Sequence, residues 1–414
     1  MKKLKVGIVG LGQRGLGLTG TMLACEEADI VAVCDFAEEK RKEAVKRVQD
    51  ARNTTPTEYA DYSEMLKDSN VEAVVVASCW DEHIRMAIQA MRAGKITAME
   101  VGGAYDLEEC WELVRTYEET KSPIMLLENC CFDKFELLST SLARSGKLGE
   151  VVFAHGAYSH DLRSEMLENN YNYRLKNYLN RNCENYPTHE LGPIAKLLDI
   201  NRGNKMLSLV SVSSKAAGLK EAFHNFEKGK EFIGADVKQG DIVTTIITCA
   251  NGEVITLTLD TTLPKHYSRE FTVRGTKGYC VQDANMVLFD SKDLHSEFEP
   301  WKSVEKWLNS GDKYAEYLPD IWKNITKEEM ELGHGGMDYM MFKAFFKAAI
   351  NGDPMPVDVY DAAAWMCVTA LSEQSIAQGG APQSVPDFTK GKWLTRPRLD
   401  VAVFPTVEEN TNNE

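Results

Sequence analysis

The sequence lacks the features that mark membrane, secreted and nucleic-acid-binding proteins. No apolar run approaches the ~20 residues of a membrane-spanning helix. The 10 cysteines are scattered, with no C-x-x-C pair and no zinc-ligand spacing, which favours reduced thiols over a disulfide framework. Basic residues are in the minority, since 47 Lys+Arg against 62 Asp+Glu give a net charge of −15, and no basic block interrupts this balance. A nucleic-acid or anionic membrane partner is therefore disfavoured, because phosphate binding requires clustered lysine and arginine.

The first residues do not have the pattern of a secretion signal. Their apolar run follows Lys2 and Lys3 but is short and breaks into glycines, with no small-residue cleavage site. Of the 414 residues, 43% are hydrophobic and 26% are charged, which suits a chain with full cores and about two or three domains. We expect an acidic, globular protein of the cytoplasm.

The first part of the chain alternates predicted strands and helices. The apolar strands are predicted at residues 5–9, 30–35, 71–78, 96–100 and 124–128, and the helices at 15–27, 38–48, 83–93 and 107–120. Near-continuous apolar strands separated by helices indicate a parallel sheet that is covered on both faces. Residues 1–128 are therefore predicted to form a doubly wound α/β domain of the Rossmann type.

After residue 129 the strands alternate apolar and polar residues instead. They are predicted at residues 151–158, 208–214, 242–249, 253–259, 270–274 and 279–282, with helices at 135–145, 190–198, 337–350 and 360–378. Asn251-Gly252 is a strong hairpin signal between two of these strands. The prediction is an α+β domain over residues 129–393 with a large open, mainly antiparallel sheet. Residues 394–414 form a C-terminal tail that ends in the polar stretch 408–414.

A glycine-rich turn follows the first predicted strand. Gly10, Gly12 and Gly15 have the G-x-G-x-x-G spacing ahead of a predicted helix. Glycine is needed there for a tight turn, for close approach of the backbone to a pyrophosphate and for helix–strand packing. Asp35 ends the second strand twenty residues after Gly15, where a carboxylate can accept both ribose hydroxyls and would repel a 2′-phosphate. The predicted cofactor is NAD rather than NADP, and an ordinary glycine-rich turn is the alternative.

This turn and the α+β second domain together resemble the Gfo/Idh/MocA oxidoreductases. Those proteins usually carry Glu-Lys-Pro after the fifth strand, and the lysine is their catalytic acid or base. The matching residues here are Glu100, Val101 and Gly102, so the lysine is absent. This departure argues against the usual sugar-dehydrogenase chemistry.

A narrower set of sequence blocks extends from residue 10 to about residue 393. These blocks are Trp80-Asp81-Glu82-His83, Glu100-Val101, Glu128-Asn129-Cys130-Cys131, Tyr158-Ser159-His160-Asp161-Leu162-Arg163, Tyr186-Pro187-Thr188-His189, Asn201-Arg202-Gly203, Asp260-Thr261-Thr262, Tyr267-Ser268-Arg269, Gly333-His334-Gly335-Gly336-Met337-Asp338 and Val357-Asp358-Val359-Tyr360-Asp361-Ala362. Together they resemble the family 109 glycoside hydrolases. The chain departs from many members in lacking a secretion signal and in carrying Glu190 where they often have glycine.

This resemblance implies an NAD-dependent glycosidase, typically one that acts on terminal N-acetylgalactosamine. In that mechanism the C3 hydroxyl of the sugar is oxidised by bound NAD, the acidified C2 proton is removed, and the C1 substituent leaves. Water then adds and the hydride returns, so the net reaction is hydrolysis and the cofactor is recycled. The usual pair of catalytic carboxylates is not needed.

The resemblance also implies roles for individual residues. Besides the glycines, the cofactor contacts would be Gln13, Arg14, Asp35, Trp80, His83, Glu100, Val101 and Asn129. The sugar pocket would be lined by Tyr158, Arg174, Tyr186, His189 and Tyr267. The catalytic candidates are His189, Tyr158, Tyr186 and His334, and no metal ion is expected.

His189 is the candidate for the base. Removing a proton next to a ketone needs a group that titrates near neutrality, and imidazole is the side chain that supplies it. From the residues alone, His189 is equally compatible with a capping or loop position ahead of the short helix predicted at 190–198. His334, which lies between glycines before another predicted helix, has the same alternative.

Tyr158 ends a predicted strand and has two possible roles. It can act as an acid or base if Arg163 or Arg174 lowers its pKa, or it can pack as a strand-end aromatic on the sheet. His160 and Asp161 follow it and can form either a functional pair or a local hydrogen bond in a loop, of which the loop hydrogen bond is favoured.

Three functional hypotheses follow. The first is an NAD-dependent glycosidase that cleaves an N-acetylhexosaminide, and the second is a net sugar or inositol dehydrogenase in which His189 replaces the missing lysine. The third is a non-catalytic sensor of NAD(H) and sugar, which would tolerate loss of His189 and Tyr158, although both are present. We also expect a homo-oligomer, because an open sheet leaves one face to be covered.

Overall fold

The chain folds into two compact units. A computed structural model describes residues 2–168, 173–290 and 304–407. The first unit comprises Met1–Asn129, Thr326–Leu371 and Pro386–Lys392, and the second comprises Cys130–Ile325, Ser372–Val385 and Trp393–Glu414. The predicted break after residue 128 lies next to the end of the first segment, but the sequence pattern did not indicate that residues 326–371 belong to the first unit. The predicted polar end at 408–414 lies outside the described residues.

The first unit contains a six-stranded parallel sheet. Its strands are β1 (Leu4–Val9), β2 (Ala28–Cys34), β3 (Thr57–Tyr59), β4 (Ala73–Val76), β5 (Ile96–Met99) and β6 (Ile124–Leu126). Their order is β3-β2-β1-β4-β5-β6, and all the pairs are parallel. This confirms the predicted Rossmann-like α/β fold, to which the structure adds the short edge strand β3. At the carboxyl end of β1, Val9 pairs with Cys34 and Val76, so neighbouring strands end at one edge.

The second unit contains an eight-stranded mixed sheet. Its strands are β7 (Val151–Ser159), β8 (Met206–Ser213), β9 (Ile242–Cys249), β10 (Val254–Asp260), β11 (Thr272–Gly275), β12 (Gly278–Val281), β13 (Met286–Phe289) and β14 (Gln383–Ser384). The order is β13-β12-β11-β7-β10-β9-β8-β14. The hairpin predicted at Asn251-Gly252 joins β9 and β10. The sheet is mainly antiparallel as predicted, but β10 pairs with β7 in parallel.

Helices connect and flank these strands. The α-helices are α1 (Gln13–Ala24), α2 (Glu38–Arg52), α3 (Tyr62–Lys67), α4 (Trp80–Arg92), α5 (Leu107–Thr120), α6 (Lys134–Arg144), α7 (Arg163–Glu168), α8 (Tyr173–Asn180), α9 (Pro187–Leu197), α10 (Gly218–Asn225), α11 (Asp320–Lys323), α12 (Lys327–Met330), α13 (Met337–Asn351) and α14 (Val359–Ala377). Short 3-10 helices occur at Asn129–Phe132, Glu227–Phe232, Val304–Trp307, Ser310–Tyr317, His334–Gly336 and Lys392–Leu394. Among the described residues, none of these helices combines the length and apolar character needed to cross a membrane.

Helix α9 begins earlier than the sequence pattern indicated. Its first residue is Pro187 rather than residue 190, and Tyr186 is the N-cap residue. Proline is favourable at the first helical position because its fixed φ suits the helix and its missing N–H would be unpaired there in any case. His189 therefore lies in the first turn of α9, not in a loop ahead of it.

Candidate active site

The glycine turn of the first unit is shaped by two close backbone approaches. Gly10 has a φ of 87°, and a Cβ there would lie 2.5 Å from the carbonyl oxygen of Ala77. A Cβ at Gly15 would lie 1.8 Å from the carbonyl oxygen of Gly10. Gly12, the N-cap residue of α1, instead faces open space, with no atom of the described residues within 4 Å of a Cβ position. Room is thus kept at a helix N-terminus, and this arrangement fits the pyrophosphate of a dinucleotide.

Asp35 connects this turn to the end of β2. Its Oδ2 accepts a hydrogen bond from the N–H of Leu11 at 2.7 Å, and its Oδ1 accepts one from the N–H of Ala37 at 2.9 Å. Each carboxylate oxygen can accept a further hydrogen bond. The residue therefore stabilises the glycine turn and keeps the capacity to bind ribose hydroxyls that the sequence predicted.

A second group of polar side chains in the first unit, here called the Arg14 cluster, comprises Arg14, Glu100, Asn129, His334 and Asp338. Arg14 pairs with Glu100 at 2.8 Å and with Asp338 at 2.6 Å. Asn129 donates to Asp338 Oδ1 at 2.7 Å, and His334 Nδ1 lies 3.0 Å from Asp338 Oδ2. Asp338 is thus the centre of the cluster, although the sequence analysis assigned it no role.

The charges of the Arg14 cluster suit an unphosphorylated ribose cofactor. Burial would raise the pKa of Asp338, but hydrogen bonds from His334 and Arg14 and the charge of Arg14 hold it well below its usual range. Asp338 and Glu100 both pair with the guanidinium of Arg14, so this residue is not available as a free cation for a 2′-phosphate. The predicted cofactor residues Arg14 and Glu100 therefore bind each other.

The start of α4 brings two more predicted cofactor residues together. Trp80 and His83 are buried, and a Cβ at Gly102 would lie 3.0 Å from Trp80 Cδ1 and 3.6 Å from His83 Nδ1. His83 Nε2 lies 2.8 Å from the carbonyl oxygen of Ser78, so Nε2 carries the proton and donates it. Burial lowers the pKa of His83, which keeps the ring neutral. Val101, which has the position of the catalytic lysine usual in the Gfo/Idh/MocA oxidoreductases, is also buried.

In the second unit, three predicted residues form an aromatic cluster. The ring centroids of Tyr158 and Tyr186 lie 4.7 Å apart, and His189 lies 5.5 Å from Tyr158 and 4.8 Å from Tyr186. The guanidinium carbon of Arg174 lies 5.9 Å from the ring centre of Tyr158 and 5.3 Å from that of Tyr186. Strand β7, helix α8 and the N-terminus of α9 thus bring together four residues for which the family resemblance implied one sugar pocket: Tyr158, Arg174, Tyr186 and His189.

Tyr267, the remaining predicted pocket residue, is about half exposed and reaches this cluster through His160. The rings of His160 and Tyr158 lie 4.8 Å apart, and those of His160 and Tyr267 lie 5.2 Å apart. The hydroxyl of Tyr267 accepts a hydrogen bond at 2.9 Å from Arg269, which is buried and also pairs with Glu136 at 2.7 Å. Arg269 therefore orients Tyr267, a role that the sequence analysis did not foresee.

The predicted loop hydrogen bond between His160 and Asp161 is wrong. Asp161 instead pairs with Arg163 at 2.6 Å, while the His160 ring packs between two tyrosines. Burial, together with the charge of Arg174, lowers the pKa of His160 to about 4, so its imidazole is neutral at neutral pH.

Of the two alternatives left open for Tyr158, the one with a lowered pKa is not supported. Arg174 acts in the expected direction, but burial outweighs it and raises the pKa of Tyr158 to about 12. Arg163 is engaged by Asp161. Tyr158 therefore keeps its proton at neutral pH and is suited to donate a hydrogen bond rather than to act as a base.

Two buried acidic residues flank the Tyr186–His189 turn. Glu184 is fully buried and Glu190 is 1% exposed, and their carboxyl groups lie next to each other. Among the described residues, no donor group bonds to either carboxyl oxygen of Glu190. Burial raises the pKa of Glu184 well above its usual range. Burial and the neighbouring Glu184 carboxylate raise the pKa of Glu190 well above its usual range. We call these two residues the carboxyl pair.

The candidate residues are therefore divided between the two units. The predicted cofactor residues and His334 lie in the first unit, and the predicted sugar-pocket residues lie in the second.

The sequence predictions did not include Asp338 and Arg269, for which the spacing to a neighbouring candidate residue was the available signal. Asp338 follows His334 by four residues, and Arg269 follows Tyr267 by two. Such spacings show which residues can share one face, but they do not identify the partner from another part of the chain.

Two family models match successive parts of the chain. Residues 4–127 match the family model described as the oxidoreductase family with an NAD-binding Rossmann fold. Residues 132–395 match the model described as the glycosyl hydrolase 109 C-terminal domain.

Similar proteins match over almost their full length. An alpha-N-acetylgalactosaminidase of Tannerella forsythia is 35% identical over 423 residues, covering 95% of this chain and 88% of that protein. A glycosyl hydrolase family 109 protein of Parabacteroides distasonis is 34% identical, again covering 95% of this chain and 88% of that protein.

Among solved structures, a levoglucosan dehydrogenase in complex with NADH and L-sorbose has a similar fold. Its TM-score is 0.69 at 17% sequence identity, with 94% of this chain and all of that chain covered. The fold is thus that of a dehydrogenase, whereas the sequence relatives include glycosidases. The chain belongs to the glycosyl hydrolase 109 family, and it is an NAD-dependent glycoside hydrolase built on the fold of the Gfo/Idh/MocA oxidoreductases.

Proposed function

We propose that this enzyme hydrolyses a terminal N-acetylhexosaminide, of the N-acetylgalactosaminide type, by oxidation and elimination. The sugar would be oxidised transiently at C3, lose its C1 substituent by elimination across C1–C2, add water and be reduced again. The names of the relatives support the substrate class. The observation that carries the proposal is the cluster in which the imidazole of His189 contacts the rings of Tyr158 and Tyr186.

The first unit would hold the cofactor. Gly12 leaves room for the pyrophosphate at the start of α1, and Asp35 would bind the ribose hydroxyls. Bound NAD would take the C3 hydride from the sugar and return it, so one cofactor molecule would serve many turnovers. Arg14 is paired with the carboxylates of Glu100 and Asp338, so its charge would not attract a 2′-phosphate. This pairing favours NAD over NADP.

His189 would remove the C2 proton. It lies in the first turn of α9, and imidazole can take up and release a proton near neutral pH. The two tyrosine rings restrict the orientation of its ring by edge contacts. A base held in a fixed orientation is what proton transfer from carbon requires.

Tyr158 would act as a donor beside this base. Its phenol keeps its proton because burial raises its pKa to about 12, so it can donate a hydrogen bond to a sugar oxygen on which negative charge develops. Arg174, which lies near both tyrosine rings, would stabilise such charge. Tyr267, whose hydroxyl accepts from Arg269, has its own proton available for a sugar hydroxyl.

The test uses purified protein with no added NAD and an excess of an aryl N-acetylgalactosaminide. Aryl groups released are counted per molecule of bound cofactor, and absorbance is followed for NADH. We expect many releases per cofactor without net NADH. If no aryl group is released and NADH instead accumulates from free sugars once NAD is supplied, the enzyme is a net sugar dehydrogenase and the proposal is rejected.

A further inference from the structure

The carboxyl pair lies behind the residues proposed to bind and deprotonate the sugar. Glu184 precedes Tyr186 by two residues, and Glu190 follows His189 directly. Both carboxyl groups are buried, and the two residues that lie between them in the sequence, Tyr186 and His189, take part in the aromatic cluster. The pair is therefore placed to act on the catalytic turn rather than on the sugar.

Glu184 attaches the beginning of this turn. Its backbone N–H donates to Ser372 Oγ at 2.8 Å, and its Oε1 accepts a long hydrogen bond from the N–H of Tyr186 at 3.4 Å. The side chain of Glu184 thus contacts the backbone of the N-cap residue of α9. A shift of this carboxylate would move Tyr186.

Glu190 attaches the end of the turn to the sheet. A Cβ at Gly156 of β7 would lie 2.4 Å from the carbonyl oxygen of Glu190, so α9 packs directly against that strand. The backbone of Thr258 in β10 also lies close to the Glu190 carboxyl and acts to lower its pKa, against the effect of burial. Tyr158 lies two residues after Gly156 on β7, so Glu190 connects α9 to the strand that carries Tyr158.

The two carboxyl groups can bond to each other only through a proton, because two carboxylates have acceptors but no donor. Burial favours the protonated form, and the Glu184 charge favours it further at Glu190. Other charged and titratable groups also lie near the pair. Arg181, three residues before Glu184, is paired with Glu373 at 2.6 Å. The carboxylate of Glu270 also disfavours a charge on Glu190, and the thiol of Cys183 is kept protonated by burial.

We propose that Glu184 and Glu190 are positioning residues that share a proton, and that this shared proton holds the Tyr186–His189 turn against the strand bearing Tyr158. The activity part of this inference rests on the proposed function. The existence of the shared proton does not. Loss of the proton would leave two buried charges that repel each other, and the turn would move away from Tyr158.

The shared proton is tested first by infrared spectroscopy. The wild-type protein at neutral pH is expected to show the C=O stretching band of a buried protonated carboxylic acid. Glu190→Gln should abolish that band, because the amide of glutamine can donate to the Glu184 carboxylate without a titratable proton. Glu221→Gln, an exposed position on α10, is the matched control and should leave the band unchanged. Absence of the band in the wild type, or its survival in Glu190→Gln, would overturn the proposal.

The positioning role is tested by kinetics. Glu190→Ala should lower kcat about 100-fold, because a small displacement of a reacting group costs that much, while bound NAD is retained. Glu190→Gln should keep most of the wild-type kcat at neutral pH. Above neutral pH, where the kcat of the wild type declines, the kcat of Glu190→Gln should not decline. Equal losses in Glu190→Ala and Glu190→Gln, or identical pH profiles for wild type and Glu190→Gln, would contradict the proposal.

These readouts separate the two proposals. If no glycoside is hydrolysed but the infrared band behaves as expected, the proposed function fails and the carboxyl pair stands. If hydrolysis proceeds and the band is absent from the wild type, the proposed function stands and the shared proton is rejected. Should Glu190→Ala fail to fold, the infrared band and the pH profile of kcat, compared between Glu190→Gln and the wild type, still test the proposal.

Discussion

At the scale of single residues, burial decides the chemistry of the aromatic cluster more than neighbouring charge does. Arg174 lies within 6 Å of the Tyr158 ring, which would favour ionisation of the phenol, yet burial raises the pKa of Tyr158 to about 12. His160, beside it, is kept neutral for the same reason. Of Tyr158, His160 and His189, therefore, His189 is the proposed base and Tyr158 is the proposed proton donor.

Replacing His189 tests this assignment. His189→Ala should abolish turnover while leaving bound NAD intact, because His189 belongs to the second unit and the residues proposed for the cofactor belong to the first. Turnover and cofactor content are measured on the same preparation. Retained activity would remove His189 from the mechanism, and loss of the cofactor would assign it to NAD binding instead.

Asp35 gives a second test at this scale. Asp35→Asn should weaken NAD binding by more than it weakens NADP binding, because the repulsion of a 2′-phosphate is relieved while an oxygen remains to accept from Leu11 or Ala37. Dissociation constants for both cofactors are measured by titration. Equal losses for NAD and NADP would mean that the carboxylate serves the glycine turn alone.

At the scale of elements, the contact between α9 and β7 determines where the catalytic turn lies. The sequence indicated a helix near residue 190 and a strand over residues 151–158, and both exist. The pattern did not indicate how closely they approach. That distance depends on Gly156, which has no side chain to keep the helix backbone away.

Gly156→Ala should therefore destabilise the protein by about 1–3 kcal/mol and lower kcat, because the new methyl group would press on the backbone of α9. Gly17→Ala is the matched control, since in the part of the chain that the structure describes no atom lies within 4 Å of a Cβ at that exposed position in α1. Removing a helical glycine there should stabilise by about 0.5–1 kcal/mol. Thermal unfolding and kcat are measured for both variants, and similar behaviour of the two would contradict the packing argument.

At the scale of the whole molecule, the first unit is completed by a segment more than 190 residues farther along the chain. Residues 326–371 return to it, and Asp338 at the start of α13 pairs with Arg14 in α1. No sequence pattern within either segment predicts this ion pair, because it joins residues 324 positions apart. The predicted domain of residues 1–128 therefore contained the parallel sheet without the carboxylate at the centre of the Arg14 cluster.

Asp338→Asn should cost about 3 kcal/mol at neutral pH, since it removes one partner of a buried ion pair. The pKa of Asp338 is lowered in the folded state, so its stabilisation is present at neutral pH and is lost as the pH falls below the ordinary aspartate range. The difference in unfolding free energy between wild type and variant should shrink accordingly in acid. Asp50→Asn, which breaks an exposed pair with Lys46, should change the unfolding free energy far less, because solvent screens that pair. A pH-independent difference for Asp338→Asn would contradict the assignment.

The sequence alone was sufficient wherever structure depends on neighbours along the chain. The G-x-G-x-x-G turn, the alternation of strands and helices, and the hairpin at Asn251-Gly252 follow from local backbone preferences and side-chain periodicity. The resemblance of its motifs to family 109 also identified the tyrosines and the histidine that the second unit brings together. These features needed no knowledge of distant contacts.

Only the tertiary structure decided which side chains are buried together. It placed Asp338 beside Arg14, packed His160 between Tyr158 and Tyr267, and joined Glu184 to Glu190. Burial is a property of the assembled core, and it shifts pKa values as strongly as charge does, so the ionisation of these groups cannot be read from the spacing of residues. For this reason the candidate residues came from the sequence, whereas their protonation states came from the fold.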